Sequence, residues 1–264
     1  MRRILGVNFF IGSLDAAVER ALPDTLPAPG SRLPAPSPTL VVAPSAPGLA
    51  VDLVRSPAYR EALQTAGLVI TDSGFMVLLW RLYTGERLPR HSGLKFLRAV
   101  LARPELKQPG AVFWVMPSAE EAVRNQTWLQ AQGFPVTADD IYLAPHYPVT
   151  GELIDETLVA RLEARRPQVV MLAIGGGVQE RLGLALRARL AGCPAILCLG
   201  AAIAFLTGGQ AAIPPWADRL VLGWLLRLLS NPRKFWRRYW EALRLAPLLW
   251  RWREHSPELI IRET

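Results

Sequence analysis

The chain of 264 residues is 51% hydrophobic and 20% charged, with a formal net charge of +8; half of it being apolar, it can bury a sizeable core in one large α/β domain or two small ones. Its two cysteines, Cys193 and Cys198, exclude a disulfide framework and fit buried free thiols in a reducing, cytoplasmic compartment. The histidines His91, His146 and His255 are too scattered for a structural zinc site, and without an uninterrupted apolar run of about 18 residues no membrane-spanning helix is expected.

In chain order the sequence alternates strand and helix patterns. The opening MRRILGVNFFIG has two arginines and a short apolar run, but no long apolar stretch or small-residue cleavage site, so a strand over 4–10 is expected instead of a signal peptide. A helix follows over 14–22, entered through Ser13. Residues 23–38 form a proline-rich loop, too rigid and broken for either element. Then come a strand over 39–42, a helix over 58–66, a short strand over 68–71, a mostly apolar helix over 74–83 and a helix over 94–102. The second half repeats the alternation: strands over 111–116, 141–143, 168–174 and 195–199, helices over 119–131, 154–165 and 179–191. The continuous apolar runs at 168–174 and 195–199 are of the buried, parallel kind. The pattern predicts a Rossmann-like parallel sheet with helices on both faces.

Ligands of such sheets bind beyond the carboxyl ends of the strands, so residues 43–45, 72–74, 175–177 and 200–202 are the places to look. In ITDSG, Asp72 sits between a strand and a helix, where a carboxylate either caps the helix or takes a proton from a hydroxyl nucleophile. IGGGVQE at 174–180 follows a strand and opens a helix. Its glycines let backbone approach a ligand and its free N–H groups suit phosphate, although a tight strand-to-helix turn explains it equally well. LPRHSG at 88–93 offers Arg90 for a bidentate phosphate or carboxylate contact; a lone loop arginine is otherwise simply solvated.

Taken together these segments resemble a known family. ITDSG is followed by LPRHSG, with Arg90 eighteen residues after Asp72, then PHY, a strand ending GGGVQE, a strand ending LGAAIAFLTG, and the run PPWADRLVLGWLLRLLSNPRKFWRRY. Their order and spacing resemble the WecG/TagA/CpsF family of bacterial glycosyltransferases, which includes the teichoic-acid N-acetylmannosaminyltransferase and its enterobacterial-antigen and capsule relatives. The resemblance runs from about residue 4 to residue 239, with the proline-rich loop as a local insertion.

The resemblance implies a metal-independent, inverting enzyme that needs no cofactor. It would move a hexosyl or N-acetylhexosaminyl unit from a UDP-sugar to a polyprenyl-diphosphate-linked sugar, on the cytoplasmic face of the cell membrane, in cell-surface polysaccharide synthesis. The family's proposed general base falls on Asp72, its R-x-x-G arginine on Arg90, and the end of its G-x-P-x-Q-E motif on Gln179 and Glu180. Arg219 and Arg227 match appendage arginines that help hold the donor diphosphate; Ser45, Gly175, Gly176 and Gly200 complete the donor site. Residues 1–215 would then be the catalytic domain and 216–264 a helical appendage.

The chain departs from the family pattern at Ala43 (a threonine of T-x-N), Ser73 (a glycine), Lys95 (the acid of G-x-D), Gly177 (a proline), Ala204 (an aspartate), Ala212 (the arginine of R-A-P) and Gly223 (the glutamate of E-W). Lost acids beside a sugar pocket change hydroxyl recognition. They also motivate a second reading, a member without catalysis that serves as a membrane-bound partner or scaffold of polysaccharide assembly. The resemblance is compatible with a homo-oligomer or with such assembly partners.

The appendage carries the charge. Between residues 219 and 253 nine arginines and lysines face one acid, Glu241, while the remaining residues hold 21 bases and 21 acids. A balanced remainder offers no extended groove for nucleic acid, although Trp/Arg mixtures can stack bases. In FWRRYWEALRLAPLLWRWRE, Phe235, Trp236, Tyr239, Trp240, Leu243 and Ala246 share one helical arc; Lys234, Arg237, Arg238, Glu241 and Arg244 share the other. An ordinary surface helix would turn the aromatic arc to the core, but its exposed face would mix charges. An almost purely basic face beside aromatics is expected of a helix lying on an anionic membrane. Trp236, Arg237, Arg238, Trp240, Arg244, Trp250 and Trp252 are the expected membrane residues, with Pro247 as a kink.

Overall fold

The computed structural model describes residues 1–22, 28–30, 38–148, 151, 153–190, 195–210 and 232–260; side chains of 232–235, 238 and 239 are left aside. The expected loop over most of 23–38, Cys193, Arg219, Arg227, Ala212 and Gly223 lie outside the described residues. The chain begins with a hairpin, β1 (Arg2–Ile4) and β2 (Val7–Phe9), paired antiparallel with Ile4 opposite Val7. A single strand over 4–10 was the expectation; the chain turns back because Leu5 (φ 51°) and Gly6 (φ 77°) are both left-handed. That conformation matches a primed hairpin turn, and for Leu5 it costs on the order of 1–2 kcal/mol. The cost is offset by burial of the Leu5 side chain and by the Leu5 and Gly6 amides, which donate to the Arg253 and Glu254 carbonyls at 2.6 and 3.1 Å. The two ends of the chain are thereby joined.

The next elements follow the sequence pattern closely. They are α1 (Leu14–Ala21), β3 (Thr39–Val42), a wide helical turn Gly48–Asp52 running into α2 (Leu53–Arg55), α3 (Pro57–Thr65), β4 (Leu68–Val69), α4 (Gly74–Thr84) and α5 (Gly93–Leu101). The second half adds β5 (Val112–Met116), α6 (Ala119–Ala131), β6 (Ile141–Leu143), α7 (Glu156–Arg165), β7 (Val169–Leu172), α8 (Val178–Arg189), β8 (Ala195–Cys198) and a 3₁₀ segment Gly200–Phe205. Two helices close the described chain, α9 (Pro232–Leu243) and α10 (Leu245–Trp252). The turns at 48–55 and 200–205 had no counterpart in the sequence reading. Ser13, Ser56, Ser73, Ser92 and Ser118 each cap the helix that follows them through the side-chain oxygen, worth about 1 kcal/mol apiece.

Strands β3 to β8 form one parallel sheet in the order β4-β3-β8-β7-β5-β6. Side-chain alternation along the strands splits the core into two layers. Leu40, Val42, Phe113, Val115, Val170, Leu172, Ile196 and Cys198 point to the layer shared with α3, α4, α7 and α8. Val41, Trp114, Met116, Val169, Met171, Ala195 and Leu197 point to the layer of α1, α5 and α6. Both faces are therefore covered, as a fully parallel sheet requires. Cys198 is a free, buried thiol. At Gly183 of α8 an added Cβ would stand 2.8 Å from both Cys198 Sγ and Leu40 Cδ1, so α8 lies unusually close to the central strands. That close approach sets the position of its first turn at the sheet edge.

Candidate active site

The carboxyl ends of β3, β4, β7 and β8 surround one cavity of about 160 Å³. Its walls include Ala43 and Ser45 after β3, Asp72 after β4, Arg90, Ser92 and Gly93 leading into α5, Gly175 and Gly176 after β7, Gln179 and Glu180 of α8, and Gly200 and Phe205 after β8. All the candidate donor-site residues that are described thus meet at one place. A second void of about 300 Å³ shares Ser45 and Gly176 with the first and is closed by Asp52 of the 48–52 turn and by Arg237 and Glu241 of α9.

Asp72 does not cap its own helix. Ser73 does, accepting the Met76 amide at 3.2 Å, which releases the aspartate for the cavity. Its Oδ1 accepts the Gly93 amide at 2.7 Å, at the N-terminus of α5, where the helix dipole favours negative charge. Arg90 is held beside it, with Nε donating to the Asp72 carbonyl at 3.3 Å. The Arg90 loop is fixed from below by Thr71, whose hydroxyl donates to the Pro89 carbonyl at 2.5 Å and accepts the His91 amide at 3.2 Å. His91 is buried, and its Nε2 donates to the Gly12 carbonyl at 2.7 Å. Thr71 and His91 are thus positioning groups not expected from the sequence, where a threonine directly before the aspartate was the signal available.

The glycine turn is built differently. Gly177 (φ 88°) leads into α8, and its amide donates to Glu180 Oε2 at 2.7 Å. Gln179 Nε2 donates to Glu180 Oε1 at 3.0 Å, while Gln179 Oε1 accepts the Gly200 amide at 2.7 Å. Two buried side chains thus lock the turns after β7 and β8 to each other. A Cβ at Gly175 would meet nothing within 4 Å, so neither packing nor backbone angle demands glycine there; what its absence leaves open is space above the backbone for a ligand.

Burial pushes the Glu180 carboxyl up to about 7, against the hydrogen bonds from Gln179 and Gly177, with Asp52 raising it further. Next to it, Arg181 is buried and donates to the Gly177, Gly151 and Pro148 carbonyls at 3.3, 2.9 and 2.5 Å; burial lowers its guanidinium below the ordinary value. This arginine braces the glycine turn from behind. Of the departures from the family pattern, Ala43 lines the cavity, Ala204 is buried and Lys95 is exposed on α5. Among the described residues no group of three or more His, Cys, Asp or Glu is placed to hold a metal ion.

The appendage turns three faces in three directions. Ala242, Leu245 and Leu249 are buried in the core. Trp236, Trp240 and Leu243 are 62%, 59% and 53% exposed, the two indoles stacked with centroids 5.9 Å apart. Arg237, one of the expected membrane residues, is 90% exposed, pairs with Glu241 at 3.3 Å and borders the void beside Ser45 and Gly176. Trp250 is 61% exposed and meets Tyr83 of α4 edge-on at 5.4 Å, whereas Trp252 packs partly against the core. The Arg238 side chain lies outside the described set. No described helix is long and apolar enough to cross a membrane.

An open parallel sheet with a carboxylate, an arginine and an open glycine turn at its strand ends is the arrangement of α/β proteins that bind a ligand in the strand-end crevice. Within that class, the chain belongs to the Glycosyl transferase WecG/TagA/CpsF family, whose profile matches residues 2–258. No individual curated protein matches it at a significant level, so membership rests on the family pattern taken along nearly the whole chain. The protein is a member of a glycosyltransferase family, with a sugar donor and an acceptor as its general partners.

The Glu180 shift has a measurable consequence. As pH rises past the ordinary 4.5 the unfolded chain ionises first, and the folded state resists until about 7, so this group's contribution is full at low pH and lost across that window. Urea unfolding of the wild type and Glu180→Gln at pH 5 to 8 should show the variant gaining roughly 2–3 kcal/mol on the wild type as pH rises. A constant difference would mean that Glu180 ionises freely in the folded protein.

Proposed function

We propose that the protein is a membrane-associated, inverting, metal-independent glycosyltransferase. It moves a sugar from a UDP-sugar to a hydroxyl of a polyprenyl-diphosphate-linked acceptor in bacterial cell-surface polysaccharide synthesis. The observation that carries the reading is the Asp72 carboxylate, freed from capping by Ser73 and held on the Gly93 amide in the cavity that also contains Arg90 and the open Gly175–Gly176 backbone. In the reaction the acceptor oxygen attacks the anomeric carbon, its proton passes to Asp72, and the bond to UDP breaks with its electron pair on the diphosphate. That growing negative charge is stabilised by donors fixed before the reaction starts: Arg90, the amides of Gly175 and Gly176 and, by the family correspondence, Arg219 and Arg227. Arg237 joins this set on geometry, since it shares a void with Ser45 and Gly176.

A cavity of about 160 Å³ lies below the roughly 300–1,000 Å³ of most small-molecule sites. A nucleotide sugar would therefore extend from it into the adjoining void under α9, which supports a closing role for the appendage over the donor. Ala43 and Ala204 remove two polar side chains that family members use, which supports a donor or acceptor with different hydroxyl contacts. Docking on the cytoplasmic face of the membrane is supported by the basic charge of the appendage and by its outward Trp236, Trp240 and Leu243.

Asn at position 72 keeps the oxygen that accepts the Gly93 amide and loses only the base. Asp72→Asn should lower the rate of transfer by roughly 10²–10⁴-fold with melting temperature and UDP binding retained; full activity in a folded variant would remove Asp72 from the chemistry. For the membrane, truncation past Leu243 would also remove the buried Leu245 and Leu249, so a surface change is the cleaner probe. Trp236→Glu/Trp240→Glu should lose at least about tenfold in co-sedimentation with phosphatidylglycerol vesicles and keep UDP affinity. Unchanged sedimentation would place the docking surface elsewhere.

A further inference from the structure

A third void, of about 360 Å³, lies on the far side of the Gly48–Asp52 turn from the donor cavity. It is lined by the apolar Val51, Val54, Leu248 and Trp252 and by Arg55, Arg244 and Arg251, with Glu258 the one acid among the described lining residues. Among the described residues none of these three arginines is paired with a carboxylate. The C-terminal segment closes one side, with the Ile260 amide donating to the Val54 carbonyl at 2.7 Å. A groove with apolar lining residues and an excess of cations complements an apolar chain bearing a phosphate.

Its placement says which one. Arg237, Glu241, Arg244, Leu248 and Arg251 recur at helical spacing on one side of α9 and α10. The first two line the void that opens to Ser45 and Gly176, and the last three line the groove. The 47–55 segment contributes to both, through Pro47, Gly48 and Asp52 in the first and Ala50, Val51, Val54 and Arg55 in the second. Fourteen residues at about 1.5 Å each give a track of roughly 20 Å from the donor cavity outward. On the neighbouring faces of the same helices stand the exposed Trp236, Trp240 and Trp250.

We propose that this groove holds the first isoprenoid units of the acceptor lipid, with its diphosphate beside Arg55 and Arg244 and its sugar directed at Asp72. The assignment rests on the acceptor class proposed above and adds a particular site for it. Arg244 and Arg251 then act on one lipid molecule and not on the bilayer surface as a whole, and the groove draws the chain out of the membrane along the appendage.

The test uses the full chain and three soluble probes: farnesyl diphosphate, inorganic diphosphate and UDP. Farnesyl diphosphate should bind at least tenfold more tightly than inorganic diphosphate, read by titration calorimetry or by tryptophan fluorescence. Leu248→Glu should reduce that chain-dependent gain to threefold or less, and Arg251→Gln should weaken farnesyl diphosphate by several-fold. Both variants should bind UDP as the wild type does and melt within a few degrees of it. Equal affinity for the two diphosphates in the wild type would overturn the assignment, as would a gain that survives in folded Leu248→Glu. Failure of the wild type to bind UDP would count against the donor reading and leave the groove result to be judged on its own.

Discussion

A parallel sheet brings every strand to an end along one edge, and the peptide groups just beyond that edge have no ladder partners. Buried amides left unpaired there would cost about 1–3 kcal/mol each, so the chain must supply acceptors from side chains. In this protein the acceptors are the site residues. Asp72 takes the Gly93 amide, Glu180 takes the Gly177 amide and Gln179 takes the Gly200 amide. The groups that finish the sheet are thus the groups that line the cavity, and their positions are fixed before any ligand arrives.

A second consequence follows from the joining of the chain ends. The β1–β2 hairpin donates its Leu5 and Gly6 amides to the carbonyls of Arg253 and Glu254. Arg2 adds ion pairs to Glu86 and Glu254 at 2.8 and 3.2 Å; being partly exposed, these contribute little on their own. Together with Leu245 and Leu249 in the core, the hairpin holds α10 in place. The C-terminal helices are therefore anchored at their far end, with Ala242, Leu245 and Leu249 in the core, Arg237 and Glu241 at the void beside Ser45 and Gly176, and Trp236 and Trp240 exposed.

Much of this was legible in the sequence because the signals were local. The strands at 39–42 and 141–143 and the helix at 119–131 were read with their observed bounds, since apolar runs and serine caps mark them directly. The hairpin was missed because Leu5 adopts a left-handed conformation that favours glycine, which composition does not announce. The wide turn at 48–52 was missed because five residues are too few to show a helical period. At the site, the clustering of Asp72, Gly175 and Gly200 followed from the strand-end rule, while Arg90 and Gln179 came from the resemblance. The choice between capping and chemistry for Asp72 did not, since it depends on Ser73 capping instead. Likewise the two arcs of α9 and the exposure of Trp236 and Trp240 could be read from spacing and charge, but not the burial of Ala242, Leu245 and Leu249 against the core, because that depends on what the helices pack against.

Inversion at the anomeric carbon is the feature that a single base opposite a leaving diphosphate requires, so the stereochemistry of transfer tests the account most directly. Purified full-length protein would be supplied with a UDP-sugar and a short-chain diphosphate-linked acceptor, and the product's anomeric proton coupling followed by nuclear magnetic resonance from the first turnovers. The account predicts UDP release coupled to a product of inverted configuration. A product of retained configuration, or no transfer across a full panel of UDP-sugars, would contradict it.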